Sequence, residues 1–412
     1  MQGEQTELRP DRLALEYYYS IPRYLLSRLL NRFWPRHFFP RVAPLRLRPV
    51  AFAPRPDWVV LRPRLVGICG SDLNLLKGAE SYLLEPYASF PAVLGHEVVA
   101  EVASAPPSSG FSPGERVVVE PILACRDRGL DPCRCCAEGS PNLCENFTSG
   151  TLAPGPVLGF NRDAAGGMAE LMAAPAACLL RLPPGLADEV AVLTDSLASA
   201  LEPLLQNFPP AGATVVVYGA GIIGQHLVRL MRALGSQARV VAVARHDFQA
   251  ELARAGGAET VLISPSRPEL AAAVGGRHLP TTLKGGNVEG GADFFFDCVG
   301  SGSSLQEGLL NLRARGTYVL VGTAGAVSNV DLSSLWFREL TLTGSAMYGQ
   351  GAFQGRPVRT YELAVEILSR GDYPVQGLVS HRFPLRAYRR AFATAMNKRR
   401  HQSMKVIFEI GN

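Results

Sequence analysis

Residues 214–235 read TVVVY, then GAGIIG, then QHLVRLMRALG. The β-branched run Thr214–Tyr218 has the make-up of a buried strand, and the apolar spacing after Gly224 is that of an amphipathic helix. Gly219, Gly221 and Gly224 between them allow a tight turn, close approach to a pyrophosphate and close helix packing. The helix start at Ile222 and Ile223 aims backbone N–H groups and the positive dipole end at phosphate. A bare GxGxxG says little, but one with both flanks predicts a dinucleotide-binding loop.

Working outward, further strands are predicted at 239–243, 260–263, 293–297, 317–321 and 340–343, alternating with helical stretches. That alternation predicts a doubly wound parallel sheet, a Rossmann domain over 188–345. The glycine-rich stretch 264–291 should carry a helix followed by a loose loop. Upstream, 57–187 has short strands such as 97–103 and 116–120 between Pro/Gly turns and reads as a β-rich domain. Downstream, 346–412 offers helices at 358–370 and 385–397 and a closing strand at 404–410, a return to that first domain. The fold class is therefore α/β, with a β-rich domain beside the parallel sheet.

The chain has 412 residues, 47% of them hydrophobic, with 41 Lys+Arg against 36 Asp+Glu. Such a composition excludes a disordered or membrane-embedded protein and fits two or three domains. The formal charge of +5 is concentrated in an N-terminal extension, residues 1–56, which holds +6 and leaves −1 for the rest. A neutral body argues against a nucleic-acid partner. With no long apolar run and no basic-then-apolar leader, the expected location is cytoplasmic.

About twenty residues after the glycine loop, NAD sites place a carboxylate on the ribose 2′-hydroxyl. Here the second strand ends in Ala244, Arg245 and His246, with no acid before Asp247. Arg245 can fork onto a 2′-phosphate, so NADP is expected over NAD. Val299 and Gly300, beyond the fourth strand, complete the expected cofactor contacts.

Five of the eight cysteines fall between 125 and 144. In a reducing compartment, Cys125, Cys133, Cys136 and Cys144 suit a closed tetrahedral structural zinc, with Cys135 surplus. A second set is dispersed: Cys69 in GICGSD, His96 in GHE and Asp195 in LTD. Thiolate, imidazole and carboxylate with one open position form the ligand set of a catalytic zinc.

GICGSD, GHE, the cysteine lobe, GAGIIG and the late HRFPL segment occur in an order that resembles the zinc-dependent medium-chain alcohol dehydrogenase superfamily, from about residue 58 to 411. The resemblance implies that the β-rich domain is GroES-like and that Cys69, His96 and Asp195 are zinc ligands, with Glu97 just behind the metal. It implies that Asp72 orients His96, that Ser71 hydrogen-bonds the substrate hydroxyl, and that the lobe carries a structural zinc. The expected reaction moves a hydride between a small-molecule alcohol, polyol or sugar and NADP, giving an aldehyde or ketone. Three departures stand out: the gap from Cys125 to Cys133 is long, Asn74 occupies the proton-relay position, and the basic extension stands where a short first strand is expected.

Two other readings use the same residues, an NADPH-dependent carbonyl reductase and a non-catalytic NADPH-sensing scaffold. The intact Cys69, His96 and Asp195 set favours an enzyme. In 17–39, Tyr17, Ile21, Tyr24, Leu25, Leu29 and Phe33 interleave with Arg23, Arg28 and Arg32, and Pro22 and Pro35 limit the expected helix to about 23–34. This segment should pack on its own domain or on a sister subunit of a homodimer or homotetramer, or contact a membrane surface weakly.

Overall fold

Val215, Val216 and Val217 are fully buried at the centre of a six-stranded parallel sheet. Burial on both faces explains why the strand is a continuous apolar run rather than an alternating one. The computed structural model describes residues 11–283, 285–323, 325–353 and 355–411. Glu4, Glu7 and Arg9 of the N-terminal extension lie outside the described residues.

The chain forms two compact units: 1–192 with 381–397 and 406–412, and 193–380 with 398–405. In the second unit the sheet runs Thr260–Ile263, Arg239–Ala244, Thr214–Tyr218, Ala292–Asp297, Leu312–Leu320, Thr341–Gly344. In order of sequence that is 3-2-1-4-5-6, the doubly wound arrangement whose switch point lies beside Thr214–Tyr218. All five pairings are parallel. The expected loose loop within 264–291 is corrected: helix Arg267–Ala273 is followed by an antiparallel hairpin of Arg277–Leu279 and Asn287–Glu289. Glycines at its ends masked the short strands.

In the first unit a larger mixed-length sheet carries the core. Val59–Gly67 pairs antiparallel with Glu97–Ser104, which pairs with Arg116–Val119, and Lys405–Glu409 closes the other side of Val59–Gly67. Leu61, Val66, Val98, Val119, Phe392 and Phe408 pack beneath it. The absence of a first strand is likewise corrected. Asp11–Tyr17 pairs with Leu45–Ala51 and with Ala92–Val93, and Leu15 and Tyr17 enter the core.

Between the two N-terminal strands lies helix Ile21–Phe33. Pro22 falls in its first turn, where the missing N–H has no helical partner to lose, so it starts the helix rather than limiting it. The helix lies against helix Gly70–Lys77: Arg28 Nη1 donates to the Gly78 carbonyl at 2.7 Å, and its guanidinium sits 4.6 Å from the centre of the Tyr82 ring. Phe38 meets Phe392 in the core, ring centres 5.6 Å apart.

Candidate active site

Cys69 follows strand Val59–Gly67 and caps helix Gly70–Lys77. Its backbone N–H donates to Asp72 Oδ2 at 2.9 Å, satisfying one of the donors a helix start leaves open. The same carboxylate places Oδ1 4.0 Å from His96 Nδ1. Asp72 is fully buried and sits between the two residues expected to bind metal.

The sheet register supplies a third donor. Gly67 and Glu97 are paired residues on neighbouring antiparallel strands, and the Glu97 carboxylate folds across the glycine. A Cβ at position 67 would stand 1.9 Å from Glu97 Oε2. As a result the Cys69 sulfur, a His96 ring nitrogen and a Glu97 oxygen all lie within 4.8 Å of one another. A thiolate, an imidazole and a carboxylate so gathered, two of them buried, fit a zinc ion with an open position. Ser71 is on the first turn of the helix and Asn74 one turn on, both half-buried. Nearby Glu80, which the sequence did not single out, is pushed up to about 7 by burial and then by the Asp72 charge.

The cysteine lobe is a second group that could hold a metal ion. Cys125, Cys133, Cys136 and Cys144 bring their sulfurs within 4.8 Å of one another, and Cys135 is outside the group. Despite the long spacing, Cys125 is drawn in because Cys125–Arg128 forms a helical turn that folds the chain back. Donors converge on the sulfurs: Cys133 N–H and Asn146 Nδ2 on Cys125, Glu145 N–H on Cys133, and Asn146 N–H on Cys144, at 3.2–3.4 Å. N–H groups aimed at sulfur stabilise thiolates, the form in which cysteine binds zinc. The Glu145 N–H holds Cys133 down to about 6, whereas burial pushes Cys144 up to about 11 and Cys136 higher still.

Arg128 organises this lobe and was invisible to motif reading. It is fully buried, and its guanidinium donates to the carbonyls of Leu123, Ser149, Leu152, Ala153 and Gly155. One side chain thereby ties together both ends of the cysteine loop.

Asp195, the expected third zinc ligand, lies in the second unit, buried in the first turn of helix Thr194–Gln206, where its Oδ2 accepts from Tyr348 Oη at 2.7 Å; among the described residues it is not one of the gathered donors, and Glu97, expected behind the metal, is. Next to it, Ser196 Oγ and His226 Nε2 share a hydrogen bond at 3.2 Å, and His226 Nδ1 meets Tyr373 Oη at 2.9 Å. Complete burial pushes His226 well below its usual value, so it is neutral.

In the glycine loop, a Cβ on Gly224 would stand 2.1 Å from the Gly219 carbonyl, so only glycine lets the helix approach the strand. Val299 lies over Gly219, its Cγ2 2.6 Å from where a Cβ would be. The turn carrying Val299 and Gly300 is held by buried Asp297, whose Oδ1 accepts both N–H groups at 2.8 and 3.1 Å. Lys398 Nζ stands 3.8 Å from the Cβ position of Gly221, a cation beside the expected pyrophosphate loop. Neither Asp297 nor Lys398 belongs to a sequence motif. Arg245 is exposed at the end of strand Arg239–Ala244, His246 caps helix Asp247–Ala255, and Asp247 opens it.

Residues 55–184 match the family model for the alcohol dehydrogenase GroES-like domain, and residues 223–361 that for zinc-binding dehydrogenases. Among curated proteins, the chain is 29% identical over 337 residues to one named "Probable D-xylulose reductase A" of Aspergillus clavatus, covering 81% of this chain and 85% of that one. The fold is that of a zinc-binding dehydrogenase from Sinorhizobium meliloti 1021 solved with NADP, at TM-score 0.73 and 23% identity over 97% of this chain and 99% of that one. It is equally that of an alcohol dehydrogenase from Escherichia coli CFT073 solved with NADH, at TM-score 0.72, 23% identity and the same coverages.

Proposed function

The chain belongs to the zinc-dependent medium-chain alcohol dehydrogenase superfamily and is an oxidoreductase, and we propose that it moves a hydride between a polyol-type alcohol and NADP, giving a ketone or aldehyde. The observation that carries the reading is the gathering of Cys69, His96 and Glu97 within 4.8 Å in a chain that also holds a dinucleotide loop. Similarity to a protein named for the reduction of a ketose supports the polyol class.

Cys69, His96 and Glu97 would hold the zinc. When bound, zinc supplies Lewis acidity that makes a substrate hydroxyl easier to deprotonate. Asp72 fixes the start of the Cys69 helix and faces the His96 ring, holding both donors in place. Ser71 would hydrogen-bond the substrate hydroxyl and, as it takes that proton, pass its own on to water, while the hydride from the C–H bond would go to the nicotinamide that a bound cofactor supplies. Asn74 is neither acid nor base, so the proton leaves without a side-chain relay at that position. Lys398, beside Gly221, would meet the pyrophosphate of a bound cofactor, and Arg245 would meet the 2′-phosphate that distinguishes NADP.

A screen of NADP⁺ and NAD⁺ reduction over primary and secondary alcohols, polyols and aldoses tests this, with a zinc-chelated control. The reading expects turnover of polyols with higher kcat/KM for NADP⁺, lost on chelation, and a shift toward NAD⁺ in Arg245→Ala. Turnover that survives full zinc removal, or NAD⁺ preferred by the unaltered protein, overturns it.

A further inference from the structure

Helix Ile21–Phe33 is amphipathic, but it is seated inside out. Its two buried residues are polar, Ser27 at 1% exposure and Asn31 at 9%, with Tyr24 and Leu30 half-buried beside them. The opposite face, where Ile21, Leu25, Leu29 and Phe33 follow one another at every fourth residue, is open, with Leu25 51% and Leu29 54% exposed. Leu26 and Trp34 extend this stripe, and the segment Tyr82–Tyr87, reached through the Arg28–Tyr82 contact, adds Leu83 at 84% exposure. Burying a serine and an asparagine while exposing leucines costs free energy unless the apolar face meets something else.

The charges around the stripe indicate what that is. Residues 17–56 contain eight arginines and no acid. By helical position Arg32 falls within the open face, between Ile21 and Leu25, and Arg28 along its edge; Arg23 falls nearer the buried side, and Arg36 and Arg41 follow beyond the helix end, all five exposed. A second copy of the same face would bring arginine against arginine, which an isologous contact cannot relieve. An anionic lipid surface relieves it: apolar side chains enter the acyl boundary, Trp34 sits at headgroup level, and arginines meet phosphates.

We propose that helix Ile21–Phe33, with Leu83 and Leu84, is a monotopic docking face for an anionic membrane surface. No helix among the described residues is long and apolar enough to cross a membrane, so the chain would lie on the bilayer rather than span it. The inference does not depend on the substrate or cofactor reading above.

Because Asp11–Tyr17 belongs to the fold, point variants of the full chain serve better than truncation. The experiment is flotation with vesicles of phosphatidylglycerol and phosphatidylcholine, with pure phosphatidylcholine, and over a salt series. The expected result is binding to the anionic vesicles only, weakened by salt, and reduced about tenfold or more in Leu25→Asp/Leu29→Asp and in Arg23→Glu/Arg32→Glu. Circular dichroism melts and NADP⁺ reduction should stay at the parent values in both variants. No binding by the parent protein, or binding that the Leu25→Asp/Leu29→Asp variant retains, overturns the proposal. So does a dimer in sedimentation velocity that this variant abolishes while vesicle binding is absent, since the face would then be a protein interface.

Discussion

Glu97 Oε2 occupies the space in front of Gly67, 1.9 Å from where a Cβ would stand, because the two residues are register partners on adjacent strands. The missing side chain at 67 lets the carboxylate reach the Cys69 and His96 donors. Gly67→Ala must therefore push Glu97 away, and strand backbone on both sides leaves it little room. The expected outcome is a ~10–100-fold loss of zinc affinity at this site, with about 1–3 kcal/mol lost from stability. Metal titration in a competing chelator reads the first and urea denaturation the second; affinity equal to the parent protein's contradicts the account.

Asp72→Asn keeps the shape but weakens acceptance from the Cys69 N–H and removes the charge beside His96. Stability should fall by about 1 kcal/mol, in the range of a lost helix cap. Because the same change loosens two metal donors, kcat should fall more than KM rises, by ~10–100-fold. Steady-state kinetics separate the two; a pure KM effect would place Asp72 in substrate binding instead.

Arg128 predicts a different pattern. Replaced by Met, it strands the carbonyls of Leu123, Ser149, Leu152, Ala153 and Gly155 in a buried loop. The expected cost is about 3–5 kcal/mol, the scale of breaking a buried charged network. Zinc stoichiometry should drop by the structural ion alone. A variant that melts with the parent protein and keeps its full zinc shows that the cysteines fold the lobe unaided.

His226 sets a pH dependence. Its folded pKa lies well below 6.5 because the ring is buried. Below about 6.5 the unfolded chain binds a proton that the native ring refuses, so stability is present at neutral pH and is lost as pH falls, by about 1.4 kcal/mol per unit. The term disappears in His226→Gln, whose Tm should decline less steeply between pH 7 and 5 than the parent's, although its neutral-pH Tm is lower. Parallel declines would remove His226 from the acid sensitivity.

What the sequence disclosed followed from local rules. The strands, glycine loop and helix of the parallel sheet are set by short-range periodicity, so 214–235 alone predicts the domain. The N-terminal strand Asp11–Tyr17 escaped because a helix separates it from its partner Leu45–Ala51, and an arginine-rich insert dominates the composition around it. The cysteine lobe was legible as a cluster, but Cys125 joins it through a backbone turn that spacing does not express. Glu97 reached the donor set through strand register, and Arg128, Asp297 and Lys398 act through contacts distant in sequence that carry no motif.

The central claim is that Cys69, in company with His96 and Glu97, holds the zinc on which hydride transfer depends. The most direct test is the turnover of Cys69→Ser, normalised to zinc content by mass spectrometry, on whichever polyol the parent protein oxidises with NADP⁺. The account predicts a protein that melts close to the parent, retains the structural zinc of Cys125, Cys133, Cys136 and Cys144, lacks the second ion and turns over at least ~10³-fold more slowly. A variant with parent turnover, or with both zinc ions still bound, would contradict it.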